Sequence, residues 1–162
     1  MNKPIKILFV CVKKGVRASV AQAIISQQSN YNIQAVAACF ETGGTPSFLK
    51  EELSNFITFP EDESCKTIFE WRDPKENFDY VITMCDETGE EHCEVFNKVV
   101  HTVSSQIPSH KHWSIPNLGR ACELQGEDRT YFVAKVVGKI ASEIERLIES
   151  ENIEIHLASQ GL

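Results

Sequence analysis

Cys11, Lys13, Lys14, Gly15 and Arg17 stand close together in the stretch "ILFVCVKKGVRASVAQAI", Ile7 to Ile24. These residue types suit anion chemistry. A guanidinium presents a planar fork that grips a tetrahedral oxyanion through two hydrogen bonds. A short loop leading into a helix turns backbone N–H groups inward, so Val12, Lys13, Lys14, Gly15 and Val16 would form an oxyanion nest with Arg17 as its clamp. The local positive charge and the helix dipole should lower the pKa of Cys11, giving a thiolate near neutral pH. A thiolate held against such an anion is a positioned nucleophile. The plainer reading makes Cys11 a small buried hydrophobe at a strand end. The Cys-to-Arg spacing alone is weak, and the apolar run before it and the helical pattern after it give it weight.

The elements around this loop follow from apolar periodicity. Ile5 to Val10 predicts a buried strand, and Ala18 to Gln28 predicts a helix with Val20, Ala21, Ile24 and Ile25 on one face. Ile33 to Ala38, Tyr80 to Met84 and Val99 to Val103 predict three more strands. Pro46 suits a first helical turn, with Phe48, Leu49, Leu53, Phe56 and Ile57 at helical spacing after it. Ser64 is a candidate cap for a short helix through Glu70, "WRDPKENFD" reads as a connector, and Pro108 to Gly126 reads mostly as loop. Glu127 to Glu149 predicts the longest helix, with Val133, Val136, Val137, Ile140, Ile144, Leu147 and Ile148 as one stripe and acids at its start. Residues 1–150 are read as one domain, and 151–162 as a tail or an extra edge strand.

Strands alternating with helices imply an α/β fold: a central parallel sheet of about four strands between helical layers. Ligands in such folds bind beyond the carboxyl ends of the strands. Cys11 and Cys85 each follow a predicted strand directly, so both should project at that edge.

The formal net charge of -7 argues against a general nucleic-acid binder, so any anion site must be local. No apolar stretch approaches membrane-spanning length, and the run after Met1 is too short for a secretory leader. These features predict a cytoplasmic protein, in which six cysteines are core residues, metal ligands or redox and catalytic thiols rather than structural disulfides. No C-x-x-C pair occurs, and only His92 lies beside a cysteine, Cys93, so no metal site is expected.

The opening stretch "ILFVC…R…VAQAI" resembles the start of the low-molecular-weight protein tyrosine phosphatases and of the arsenate reductases that share their fold. The resemblance covers most of the chain. "FETGG" (Phe40 to Gly44) falls at the family's second-strand loop, and the long last helix fits. "FDYVITMCDETGEEHCEVF" (Phe78 to Phe96) resembles the arsenate reductase branch, where one cysteine follows the third strand and another comes soon after. "HW" at His112 and Trp113, followed by "IPN", resembles the segment that usually carries an Asp-Pro general acid.

The resemblance implies a flanked parallel sheet and a three-thiol arsenate reduction. Cys11 would attack arsenate, Cys85 would resolve the arsenic–sulfur adduct and release arsenite, and Cys93 would draw the disulfide away for an external reductant. A mobile polar connector between Cys85 and Cys93 would let Cys93 swing in, while Asp86, Glu87, Glu90 and Glu91 would raise nearby thiol pKa values. The implied ligands are a phosphate, sulfate or arsenate anion in the loop, with no tightly bound cofactor. The implied partners are an oxyanion or phosphomonoester substrate and a thioredoxin or glutaredoxin-type thiol reductant, in a monomer or weak dimer. Cys39 reads as core, and Cys65 and Cys122 match no role.

Two departures qualify this picture. The family loop usually carries Gly-Asn and, after its arginine, Ser, where this chain has Lys13, Lys14 and Ala18. Asn117 and Leu118 fall at the Asp-Pro positions, and an amide cannot protonate a leaving group. Asp128 is an alternative acid, though its place suits a helix-terminus charge. Three functions therefore compete: an arsenate reductase, a tyrosine phosphatase acting through a cysteinyl-phosphate, and a degenerate non-catalytic oxyanion-binding module.

Overall fold

The structure, a computed structural model, describes residues 3–13, 16–28, 31–41, 43–59, 66–70, 77–88, 91–151 and 153. The chain runs β1 (Ile5–Lys13), α1 (Val16–Gln27), β2 (Ile33–Glu41), α2 (Ser47–Leu53), β3 (Lys66–Thr67), a 3-10 turn (Ile68–Glu70), β4 (Tyr80–Cys85), α3 (Cys93–Val103), β5 (Ser109–Ser114), a second 3-10 turn (Leu118–Glu123) and α4 (Gly126–Ser150). The strands form one sheet in the order β3-β2-β1-β4-β5, and every pairing is parallel. The chain leaves β1 toward β2 and β3 on one side, then returns to build β4 and β5 on the other. The reversal falls between β1 and β4, where a ligand crevice forms in open parallel sheets.

Side chains alternate along β1 and divide the core. Ile7, Phe9 and Cys11 join the layer of α1, α2 and α4, where Val133, Val136, Ile140 and Ile144 of α4 pack with Leu49 and Leu53 of α2. Leu8, Val10 and Val12 face the opposite layer, with Phe96 and Val100 of α3. Burying each such large side chain contributes about 1.5–3 kcal/mol, so the α4 stripe alone holds that helix to the sheet.

The flanked parallel sheet matches the sequence reading, with five strands rather than about four. The expected strand at Val99 to Val103 is the end of α3. Phe96 and Val100 sit one turn apart and are both buried, and a short apolar run does not distinguish helix from strand by itself. The last strand is β5, inside the stretch read as loop. Its sequence, SHKHWS, buries only Trp113, so it carries no apolar alternation to read. The short helix expected from Ser64 through Glu70 is instead β3 at Lys66–Thr67 followed by the 3-10 turn at Ile68–Glu70, while Ser64 itself, most of the "WRDPKENFD" connector and nearly all of the tail lie outside the described residues. No helix among the described residues is long and apolar enough to cross a membrane.

Candidate active site

Cys11 does not end its strand. β1 continues through Val12 to Lys13, which is registered against Glu41 of β2. Val12 is buried and keeps the period-two pattern of Leu8 and Val10. Val12 is β-branched and favours extension, and Lys13 stands where the family loop has a glycine, a residue that favours a turn. Val12 and Lys13 are therefore strand residues rather than the loop residues the sequence predicted. Val16 opens α1, while Lys14 and Gly15, the rest of the expected loop, lie outside the described residues.

The thiol of Cys11 is completely buried beneath the first turn of α1. Burial pushes its pKa up. The Arg17 charge and a hydrogen bond from the Ala18 N–H pull the other way, but nearby Cys39 and the Glu91 carboxylate add to the rise. The net direction is upward, which reverses the expected low-pKa thiolate. Sequence charge signalled the lowering influences, and only the fold reveals the desolvation that outweighs them.

Arg17 is also buried, and its fork is filled. Nη1 donates to Glu91 Oε1 at 2.7 Å and Nη2 donates to Glu91 Oε2 at 2.5 Å. Nη1 also donates to the Ile115 carbonyl at 3.1 Å. The two paired side chains are each only 2% exposed. The Asp86 N–H completes the seat, donating to Glu91 Oε1 at 2.7 Å. Burial disfavours the guanidinium charge, but the bonds to Glu91 outweigh it and raise the Arg17 pKa further. Glu91 thus holds the clamp assigned to a substrate anion, a partner that sequence reasoning missed.

Cys85 ends β4 and is joined to Cys93, the first residue of α3, by a disulfide with a Cα–Cα separation of 5.8 Å. Cys11 is free and is registered beside Met84 on the neighbouring strand. Strand alternation places Cys11 and Cys85 on opposite faces of the sheet. Between Glu91 and Cys93 stands His92, with φ 47°, the only non-glycine residue at positive φ among the described residues. Left-handed backbone costs a residue with a Cβ about 1–2 kcal/mol. The disulfide, the left-handed His92 and the Glu91 carboxylate paired with Arg17 therefore fall within one short segment.

Glu91 also lines a cleft of about 360 Å³ with Val12, Lys13, Phe40, Glu41, His92, Val95 and Phe96. A second cleft, of about 420 Å³, has Lys13, Val16, Asn117, Arg120 and the exposed free Cys122 among its walls. Cys39 is buried beside Cys11 on β2, where its thiol reaches the Lys66 carbonyl, while Cys65 lies outside the described residues.

Asn117, expected at a degenerate acid position, serves as a helix cap. Its side-chain oxygen accepts from the Gly119 N–H at 3.0 Å, and its own N–H donates to Asp86 Oδ2 at 2.8 Å. Asp86 accepts further bonds from the Thr88 backbone and hydroxyl and from Arg120. Burial raises its pKa, but these donors outweigh it and bring the carboxyl from 3.8 to about 2. A carboxyl depressed on folding contributes stability that is complete above its unfolded pKa and is lost as the pH falls through the folded one. Asp86 should therefore stabilise the fold by on the order of 2 kcal/mol at neutral pH, declining from about pH 4 to about pH 2. Urea midpoints measured across that range should fall less steeply for Asp86→Asn than for the wild type.

Among the described residues, no group of three His, Cys, Asp or Glu side chains is arranged to hold a metal ion. Cys11 lies near the carboxyl end of β1, Cys85 ends β4, and Arg17 and Cys93 lie in the first turns of α1 and α3, beside the point where strand order reverses, with Cys11 and Cys85 on opposite faces of the sheet.

This architecture is the low-molecular-weight-phosphatase-like α/β fold found in arsenate reductases. No family model and no curated protein sequence matches the chain, but solved structures do. An arsenate reductase in its phosphate-binding state superposes with a TM-score of 0.59 at 15% identity, covering 90% of this chain and 98% of that one. An arsenate reductase from Archaeoglobus fulgidus gives 0.59 at 19% identity, covering 88% of this chain and 98% of that one. A thioredoxin-dependent arsenate reductase from Corynebacterium glutamicum gives 0.52 at 17% identity, covering 92% of this chain and 64% of that one. At such identities the likeness establishes the fold and leaves the chemistry to the residues.

Proposed function

We propose that this chain is an arsenate-reductase-like enzyme that turns arsenate into arsenite with three thiols. The observation that carries the reading is the Cys85–Cys93 disulfide beside a free Cys11. Such a state is what the proposed cycle leaves behind. Cys11, as a thiolate, bonds to arsenic(V) and a hydroxyl leaves as water. Cys85 then attacks the Cys11 sulfur, the arsenic–sulfur bond breaks, and its electron pair leaves on arsenic as arsenite. Two thiols have supplied two electrons. Cys93 attacks Cys85, Cys11 departs as a thiolate, and the Cys85–Cys93 disulfide awaits an external dithiol.

The opposite facing of Cys11 and Cys85 sets a geometric requirement. Cys85 is the last residue of β4, so the required turn falls at the strand end and would give up the bond from the Ile115 N–H to the Cys85 carbonyl. The thioredoxin dependence named for the Corynebacterium glutamicum neighbour supports a reductant of that class.

A second reading is a non-catalytic oxyanion-binding module. It is favoured over turnover by the buried Cys11, whose thiol pKa is pushed up and which is therefore a poor nucleophile. Tyrosine phosphatase activity fits less well, because Asn117 caps a turn and supplies no proton.

Turnover separates these readings. With arsenate, thioredoxin, its reductase and NADPH, the wild type should consume NADPH in an arsenate-dependent way, and Cys11→Ser should be silent. A silent wild type would leave the binding-module reading in possession.

A further inference from the structure

We infer that Glu91 is an internal substitute for the oxyanion: it fills the anion seat in the disulfide form and vacates it when the disulfide is reduced. The inference rests on the proposed function and names a control on that same site. The seat is the Arg17 guanidinium together with the Asp86 N–H, three donated hydrogen bonds converging on one carboxylate. That donor set suits a tetrahedral oxyanion such as arsenate or phosphate equally well. Two anions cannot share it, so occupancy by Glu91 excludes the ligand.

Covalent geometry ties the plug to redox state. Cys85 immediately precedes Asp86, and Cys93 follows Glu91 by two residues. The disulfide joins the two ends of this segment, which holds the Glu91 carboxylate against the Asp86 amide and the Arg17 fork. His92 takes its left-handed conformation at the hinge between plug and disulfide. Backbone strain of this kind gathers where a segment switches between two states. An external dithiol reduces Cys85–Cys93 to two thiols and is itself oxidised to a disulfide. The constraint is then gone, and relaxation of His92 carries Glu91 out of the seat into the adjoining cleft with Lys13.

Removing Glu91 also withdraws one of the influences that raise the Cys11 pKa while leaving Arg17 in place. The same movement therefore exposes the clamp and removes one carboxylate charge that opposes the thiolate. The cycle closes on itself: the oxidised product cannot take up a second anion until it has been reduced.

The test is binding of inorganic phosphate to the full-length chain, by calorimetry, with and without dithiothreitol. Reduced wild type should bind at least about ten-fold more tightly than the disulfide form, a difference of about 1.4 kcal/mol. Cys93→Ser, unable to form the disulfide, should match reduced wild type without any dithiol. Glu91→Ala in the disulfide form should recover most of the lost affinity. If Glu91→Ala does not fold, Glu91→Gln keeps the volume, removes the charge and should show a smaller gain in the same direction. Equal phosphate affinity in the two redox states of the wild type overturns the inference, as does a disulfide-form Glu91→Ala that binds no more tightly. Phosphate binding that follows the disulfide in a chain unable to reduce arsenate would overturn the proposed function and uphold the plug. Arsenate turnover with phosphate binding indifferent to the disulfide would do the reverse. Absence of phosphate binding in every form overturns both.

Discussion

Arg17→Met should destabilise the disulfide form by about 3–5 kcal/mol, because it leaves the Glu91 carboxylate buried without its counter-charge. The variant also loses the donor to the Ile115 carbonyl. For a chain of this size the loss corresponds to a fall in Tm of roughly 10 °C. The double variant Arg17→Met, Glu91→Leu should regain most of it. Removing both members of a buried ion pair is commonly neutral or stabilising, because the desolvation of both charges disappears with their attraction. The cost of the single variant should depend on redox state. In the reduced chain Glu91 is free to move to solvent, so its unpaired charge need not stay buried, and the penalty should shrink. Denaturant midpoints, each compared with wild type in the same redox state, read this directly. An equal penalty in both states would make the pair a fixed structural element rather than a plug.

The burial of this pair marks where the sequence stopped being informative. β1, β4 and α4 were legible because their apolar residues recur at strand or helix spacing and end up inside the core. β5 was not, because an edge strand of histidines, lysine and serines is held by its backbone ladder and one tryptophan. Topology explains why Cys11, Arg17, Cys85 and Cys93 could be placed at one edge: each lies at or near the carboxyl end of a central strand or the start of the helix beside it. Local sequence could not show how far β1 extends past Cys11, since "VKK" reads as a basic loop until Val12 is seen packing beneath α3. Nor could it show Glu91, 74 positions from Arg17 and one acid among several in "DETGEEH". The usable signal was indirect. An arginine in the first turn of a buried helix must find a carboxylate, because that charge is almost never buried unpaired. The acidic run between two cysteines of the neighbouring strand and helix was the nearest source.

Cys85→Ser should abolish steady-state arsenate reduction, while Cys93→Ser should permit about one turnover per chain. The two variants stop the proposed cycle at different bonds. Without Cys85, the Cys11–arsenic adduct forms and meets no thiol at the end of β4, so arsenite release should fall by roughly a thousand-fold or more, the scale for losing a covalent participant. Without Cys93, Cys85 still resolves the adduct, one arsenite leaves, and the chain halts as a Cys11–Cys85 disulfide. Rapid-quench measurement of arsenite, with peptide mapping of the disulfides, distinguishes the two. The neighbouring thiol makes the experiment demanding. Cys39 is the in-register neighbour of Cys11 on β2 and is already buried beside it, whereas Cys85 lies across the sheet and must turn to reach it. If Cys85→Ser keeps its turnover and a Cys11–Cys39 disulfide accumulates, the resolving role belongs to β2, and the Cys85–Cys93 pair serves only to hold Glu91 in the anion seat. If Cys85→Ser is inactive and Cys93→Ser gives its single burst, the turn at the end of β4 is the step that couples arsenite release to closure of the site.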